Sequence, residues 1–331
     1  MAIAKKTSGK RSRSSAKKEI PALRYLRYDL QNSGTAGTET SHFIDLARDL
    51  SRVNRRLYRQ GRNYHVKKIT VVSRNTGQSQ GPSGASDFAV QAGFVSASVV
   101  HSTWVSQKAW QRGFKTWQLM NKEASHSISN SVGGTWSDFK VYMTDDMRTG
   151  TTLSPIDNGG NAWDAGEWTY SKFVTPDGTT GSDAFVAHMI GGHNGSAGSR
   201  TSVGLIRSYG ESRATVSPNA PETPGTIKDD PLVNVFDYGT AIDEVLEDYM
   251  EDADNPPYSL TNYPGGAGNG QKPSVAQMST LGTDGKCTLG GFTAMCGLIE
   301  IESTSPIAND VYSVLVELAP GNYRGIKADV I

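Results

Sequence analysis

The sequence predicts an all-β protein, a sandwich or jelly roll, on three observations. Nine short segments rich in Val, Ile, Thr and aromatic residues recur along the 331 residues. Thirty-six glycines, with clusters of Asn, Ser and Pro, punctuate them as turns. The stretches between, such as 145–166, 191–202, 211–230 and 259–274, are long and polar. That is the composition of loops gathered at one end of a sandwich, and it lacks the regular helical crossovers of a parallel sheet.

The chain begins with MAIAKKTSGKRSRSSAKKEI, a low-complexity run of Lys, Arg, Ser, Gly and Ala. It carries too little apolar surface to offset the entropy of ordering, so a free cationic tail is expected. No apolar run follows it, which argues against a secretory signal, and no segment approaches 18 apolar residues, the length of a membrane span.

From Thr40 to Gly61 the pattern is helical. Thr40 or Ser41 is placed to cap the start and Gly61 to take the left-handed position after the end. Phe43, Leu46, Leu50, Val53 and Leu57 form one apolar stripe, with Arg52, Arg55, Arg56 and Arg59 off it. Candidate strands then begin at Tyr64 (YHVKKITVVS), Asp87 (DFAVQAGFVSASVV), Trp136 (WSDFKVYM), Glu167 (EWTYSKFVT) and Asp183 (DAFVAHMIG). Others begin at Thr201 (TSVGLIRSY), Pro231 (PLVNVFDY), Gly297 (GLIEIES) and Asp310 (DVYSVLVEL). Two helices interrupt them. One, from Ser102, sets Trp110, Phe114 and Trp117 on one face, a pattern of core or subunit contact. The other, from Gly239, is acidic and ends at Asn255-Pro256-Pro257.

Charge is segregated along the chain. The formal net charge is zero, yet residues 1–68 hold 17 Lys and Arg against five acids. Residues 229–254 hold ten acids and no base. A neutral average therefore conceals a cationic N-terminal fifth and an anionic segment. Cationic arms neutralise phosphate by counterion release, without reading sequence. The candidate nucleic-acid contacts are Lys5, Lys6, Lys10, Arg11, Arg13, Lys17, Lys18, Arg24 and Arg27 in the arm. Arg52, Arg55, Arg56, Arg59 and Arg62 continue the set along the helix and its exit.

The search for other chemistry returns near-misses. GTDGKC has Thr280 where a phosphate-binding loop needs its first Gly, and Cys287 where it needs Ser or Thr. GHNGSAGS lacks the Gly two residues before Ser196 that a nucleophile elbow requires. His188 and His193 stand five apart without the spacing of a zinc site, and the acidic run fits no EF-hand loop. Cys287 and Cys296 are read as two reduced thiols, although a bridge is geometrically open to them. No catalytic constellation, cofactor site or metal site is expected.

KKTSGKRSRSSAKK leading into FIDLARDLSRVNRRLYRQGRNYHVKKITVV, followed by WVSQKAWQRGFKTWQLMN and a Gly/Ser-rich β body, resembles the capsid proteins of small circular single-stranded DNA viruses. The resemblance implies a single eight-stranded jelly-roll sandwich with inserted helices and long surface loops. It implies a basic arm over 1–28 and a shell domain over 29–331. It further implies assembly of copies of the chain into an icosahedral virion around a single-stranded DNA genome, with the host nucleus as a site of assembly. No membrane partner is implied, and no residue identifies a host receptor. Coats of small positive-strand RNA viruses share this plan. A non-viral β-sandwich nucleic-acid-binding protein and a lectin-like domain are the other classes compatible with the residues.

Overall fold

Alternation of apolar and polar residues, period two, builds the strands of this molecule. The computed structural model describes residues 21–74, 92–127, 136–174, 184–196, 199–213, 264–266, 268, 270–282 and 284–331. The first strands are Tyr25–Gln31 (β1), Thr40–Asp45 (β2), Arg62–Ser73 (β3) and Phe94–Val99 (β4). An insertion contributes Lys172–Val174 (β5), Ala184–His188 (β6), Asn194–Ser196 (β7) and Ser199–Gly204 (β8). The chain returns through Ser274–Thr280 (β9), Lys286–Leu289 (β10), Phe292–Met295 (β11), Leu298–Thr304 (β12) and Val311–Leu318 (β13). Three short strands close it, Pro320–Gly321 (β14), Gly325–Ile326 (β15) and Ala328–Val330 (β16).

Two antiparallel sheets result. One runs β1-β13-β3-β10, with β11 and β16 also on β3, and the other runs β2-β12-β4-β9. Their inner faces share one core. Leu26, Tyr28, Val71 and Val314 come from the first sheet and Ile44, Ala97, Ile299 and Ile301 from the second. The edge strands β1 and β2 are bridged by one loop. Leu153 N–H donates to Phe43 C=O (2.8 Å) and Ile156 N–H donates to Arg27 C=O (2.8 Å), which satisfies edge groups that would otherwise be open.

The outer faces differ. On the first sheet, Tyr25, Arg27, Lys68, Val72, Lys286 and Leu315 stand exposed or half-exposed. On the second, the insertion between the paired neighbours β4 and β9 packs Val105, Trp110, Phe139, Met189 and Leu205 against Phe43 of β2 and Leu298 of β12 in a second core. Trp104–Ser127 (α2 below) and Leu205–Arg213 (α4 below) pack together there. Trp110 stacks on Phe114 at 5.1 Å and Phe114 on Trp117 at 6.2 Å, with Phe139 against all three, so the aromatic face is core as its spacing predicts. In chain order the helices are Leu46–Asn54 (α1), Trp104–Ser127 (α2), Asp145–Thr149 (α3) and Leu205–Arg213 (α4).

Several expectations are corrected. The helix predicted from Thr40 to Gly61 is only Leu46–Asn54, because Thr40–Asp45 pairs with β12 as a strand. Its cap is Asp45, whose Oδ1 accepts the Arg48 N–H at 3.1 Å, and Arg55 (φ 53°) takes the left-handed position assigned to Gly61. Gly61 is needed for a different reason. A Cβ there would lie 2.6 Å from the Trp110 ring. The 1–28 arm is cut short as well, since β1 begins at Tyr25.

WSDFKVYM is extended but does not form a ladder. Phe139, Val141 and Met143 alternate into the second core, while the Val141 N–H donates to Gln60 Oε1 (2.6 Å) and the Lys140 N–H to Ser171 Oγ (3.0 Å). The segment read as strand from Thr201 turns helical at Leu205, where Leu205, Ile206 and Tyr209 bury at helical spacing. The strand predicted from Asp87 begins at Phe94, and that from Glu167 at Lys172. The segment from Pro231, the acidic helix and the acidic run of 229–254 lie outside the described residues.

Candidate nucleic-acid interface

Helix α1 holds Arg48, Arg52 and the capping Arg55 on one side of the sandwich. Its apolar side, Leu46, Ala47, Leu50 and Val53, is buried in the first core. Ser51 Oγ donates back to Ala47 C=O (2.6 Å) and accepts the Tyr58 N–H (2.8 Å), which folds the chain sharply after the helix.

Beside α1 lies a cleft of about 770 Å³, within the range of ligand pockets. Arg48, Arg52 and Arg55 form one wall, and Trp136, Ser137 and Lys140 another. Asp164, Gly166, Glu167, Trp168 and Thr169 complete it. The Lys140 ammonium sits 4.5 Å above the Trp168 ring, a cation–π contact that fixes both groups. Trp136 at the rim is 63% exposed.

The fourteen basic positions separate into groups. Lys5, Lys6, Lys10, Arg11, Arg13, Lys17 and Lys18 lie outside the described residues. Arg24 and Arg27 lead into and lie on β1, and Arg27 is on the open face of the first sheet rather than on an arm. On that face the acids are already engaged. Glu317 pairs with Lys67 (2.7 Å) and Lys68 (3.4 Å), and Asp29 pairs with Arg74.

Arg52 and Arg55 are the two predicted residues brought together in the cleft. Arg52 is half-buried, with its Nη1 3.3 Å from Ser154 Oγ, and burial together with nearby Arg48 lowers its pKa. Arg55 is exposed. Arg56, Arg59 and Arg62 do not line the cleft. Arg56 donates to Pro21 C=O (3.4 Å), and Arg59 pairs with Asp138 (3.1 Å) while donating to Ser137 C=O (3.0 Å). Arg62 lies 3.7 Å over the Tyr323 ring. Each of these three has a partner among the described residues.

The root of the arm is tied to the same helix. The Leu23 N–H donates to Asn54 Oδ1 (2.8 Å) and Asn54 Nδ2 donates back to Leu23 C=O (3.1 Å). The cationic arm therefore enters the fold next to Arg55.

Beneath the cleft is a buried polar network. Asp45 Oδ2 accepts from Gln60 Nε2 (3.2 Å), Trp168 Nε1 (3.1 Å) and the Tyr170 hydroxyl (3.1 Å). Asp49 accepts from the Tyr28 hydroxyl (2.8 Å) and Arg48 Nε (2.8 Å), while Arg48 also donates to Leu153 C=O. Burial pushes Asp49 up to about 6, held back by the Arg48 charge, and burial likewise raises Asp45. Burial disfavours the Arg48 charge, but Asp49 and Asp45 hold its pKa above the usual value. Arg48 is thus a wall of the cleft fixed in place by acids behind it.

Sequence reasoning missed Trp136, Lys140 and Trp168, because it assigned them to strands. Other candidates resolve structurally. His188 Nε2 lies 2.9 Å from Gly192 C=O and His193 Nε2 lies 3.1 Å from Glu211, with burial lowering both pKa values. Cys287 and Cys296 are both free and buried, and burial raises the Cys287 thiol to about 11. Among the described residues no cluster of three His, Cys, Asp or Glu is placed to hold a metal ion. Comparison with protein-family models, curated proteins and solved structures finds no match for this chain.

Proposed function

We propose that this chain is a viral shell protein, one that assembles with copies of itself and packages a single-stranded nucleic-acid genome through its basic arm. The observation that carries the reading is the strand order, β1-β13-β3-β10 facing β2-β12-β4-β9. In chain order these eight strands alternate between the two sheets except at β4 and β9, which are neighbours in one sheet. This order supports a jelly-roll plan of two Greek keys, which many capsid proteins use. Charge segregation supports it. A tail that neutralises phosphate is joined to a body whose remaining charge is negative, so nucleic acid gathers on the arm and not over the whole surface. The large insertion on one sheet and the open face of the other give the body two chemically distinct sides for contacts between copies.

The test is electron microscopy of the purified chain, with nucleic-acid content measured after nuclease treatment. Closed, uniform particles holding nuclease-protected nucleic acid are expected. A strictly monomeric species across salt and pH overturns the reading. Deletion of residues 1–20 should abolish most salt-sensitive binding while leaving the β body folded.

A further inference from the structure

Trp136 stands apart from the packed aromatic residues. Trp110 on α2 is 7% exposed in the second core, whereas Trp136 leaves 63% of its surface in water at the rim of the cleft. An indole so placed is a ready platform for a flat π-face. Arg55, across the same cleft, occupies a left-handed backbone conformation (φ 53°) at a helix end where Gly is the unstrained choice. It makes no hydrogen bond or ion pair among the described residues. A charged side chain held at a strained position without a partner in the fold is a group poised for a ligand.

We infer that this cleft takes an unstacked base of a single-stranded polynucleotide, the base lying on Trp136 and its flanking phosphates on Arg52 and Arg55. The inference rests on the nucleic-acid half of the proposed function and not on shell assembly. Stacking on an aromatic residue beside a cationic groove is the physical basis of sequence-tolerant single-strand binding. Asp164 and Glu167, which also line the cleft, repel further phosphates and accept hydrogen bonds from base N–H groups, so the base end of the nucleotide is the end that fits there. Duplex is excluded because its bases are held in the stack. The root of the arm, where Leu23 bonds to Asn54, lies beside Arg55.

The experiment separates the arm from the cleft. The arm senses phosphates only, so it binds a labelled ten-nucleotide oligothymidylate and an abasic backbone of equal length alike. Fluorescence anisotropy is read on the unassembled fraction of the full chain at moderate salt. The wild type is expected to bind the base-bearing strand about tenfold more tightly than the abasic one. Trp136→Ala should remove that preference and Trp136→Tyr should retain most of it. Arg55→Gly should weaken both strands and reduce the salt slope by about one. The same pair in ribose form reports which polymer is preferred, and a base-dependent gap in either supports the site. Equal binding of base-bearing and abasic strands by the wild type in both sugar forms, or a gap that survives Trp136→Ala, overturns it. A gap without particles in the microscope leaves the cleft standing and removes the shell; particles without a gap do the reverse.

Discussion

Arg48 and Arg55 sit two turns apart at opposite ends of one short helix, and their surroundings are opposite in kind. Arg48 is 8% exposed, paired with Asp49 at 2.8 Å and bonded to Leu153 C=O. Arg55 is exposed, at a strained φ, and unpaired among the described residues. The difference teaches that positive charge in this helix does two jobs. At one end it neutralises carboxylates the fold has buried. At the other it is left in water at the price of backbone strain, where it can meet an anion.

The largest effect that tests this contrast is at the buried end. Arg48→Met removes the partner of a fully buried carboxylate, and we expect a loss of about 3–5 kcal/mol in unfolding free energy by urea titration. A loss no greater than that of an exposed arginine would erase the distinction between the two ends. Next in size is the proton linkage of Asp49. Its folded pKa of about 6 lies above the ordinary 3.8, so between those values the folded chain holds a proton that the unfolded chain has released. This contribution is fully present below about pH 4 and disappears as pH rises through about 6, amounting to at most about 3 kcal/mol. The stability gap between the wild type and Asp49→Asn should therefore shift against the wild type over that window, as read by urea titrations at a series of pH values. A gap moving the other way means that Asp49 titrates below its unfolded value.

A smaller effect is expected for Tyr28→Phe, which deletes the hydroxyl donating to Asp49 at 2.8 Å. About 2 kcal/mol should be lost, as for a hydrogen bond to a charged group, with oligonucleotide affinity unchanged. The smallest effect has the opposite sign. Arg55→Gly relieves the left-handed strain and should raise stability by about 1 kcal/mol in the same titration. A fall in stability would mean that Arg55 is held by the fold after all.

Much of the body was legible because alternation is a local property. GLIEIES and DVYSVLVEL became β12 and β13 nearly residue for residue, and YHVKKITVVS became the long central strand β3. The Trp-rich helix was legible for the same reason, since Trp110, Phe114 and Trp117 repeat at the helical period. Failures fell where one pattern serves two periods. Phe43 lies in phase with the helical stripe of Leu46 and Leu50, so the residues of β2 read as helix until their pairing with β12 is known. The strands β1, β9 and β10 are short or polar on one face, and their identity depends on neighbours distant in sequence.

By itself the sequence determined the β character of the body, the buried face of each long element and the concentration of positive charge in its first 68 residues, because composition and period are fixed residue by residue. Only the tertiary structure decided which of those charges remain available. Arg59 was drawn to Asp138 across 79 positions, Arg62 to the ring of Tyr323, and Arg48 to the buried Asp49, which also accepts from Tyr28, and to the carbonyl of Leu153. Arg52 and Arg55 were left facing Trp136, Lys140 and Trp168. Whether an arginine is a structural counterion or a free cation depends on the long-range contacts that close around it, and no local pattern encodes those.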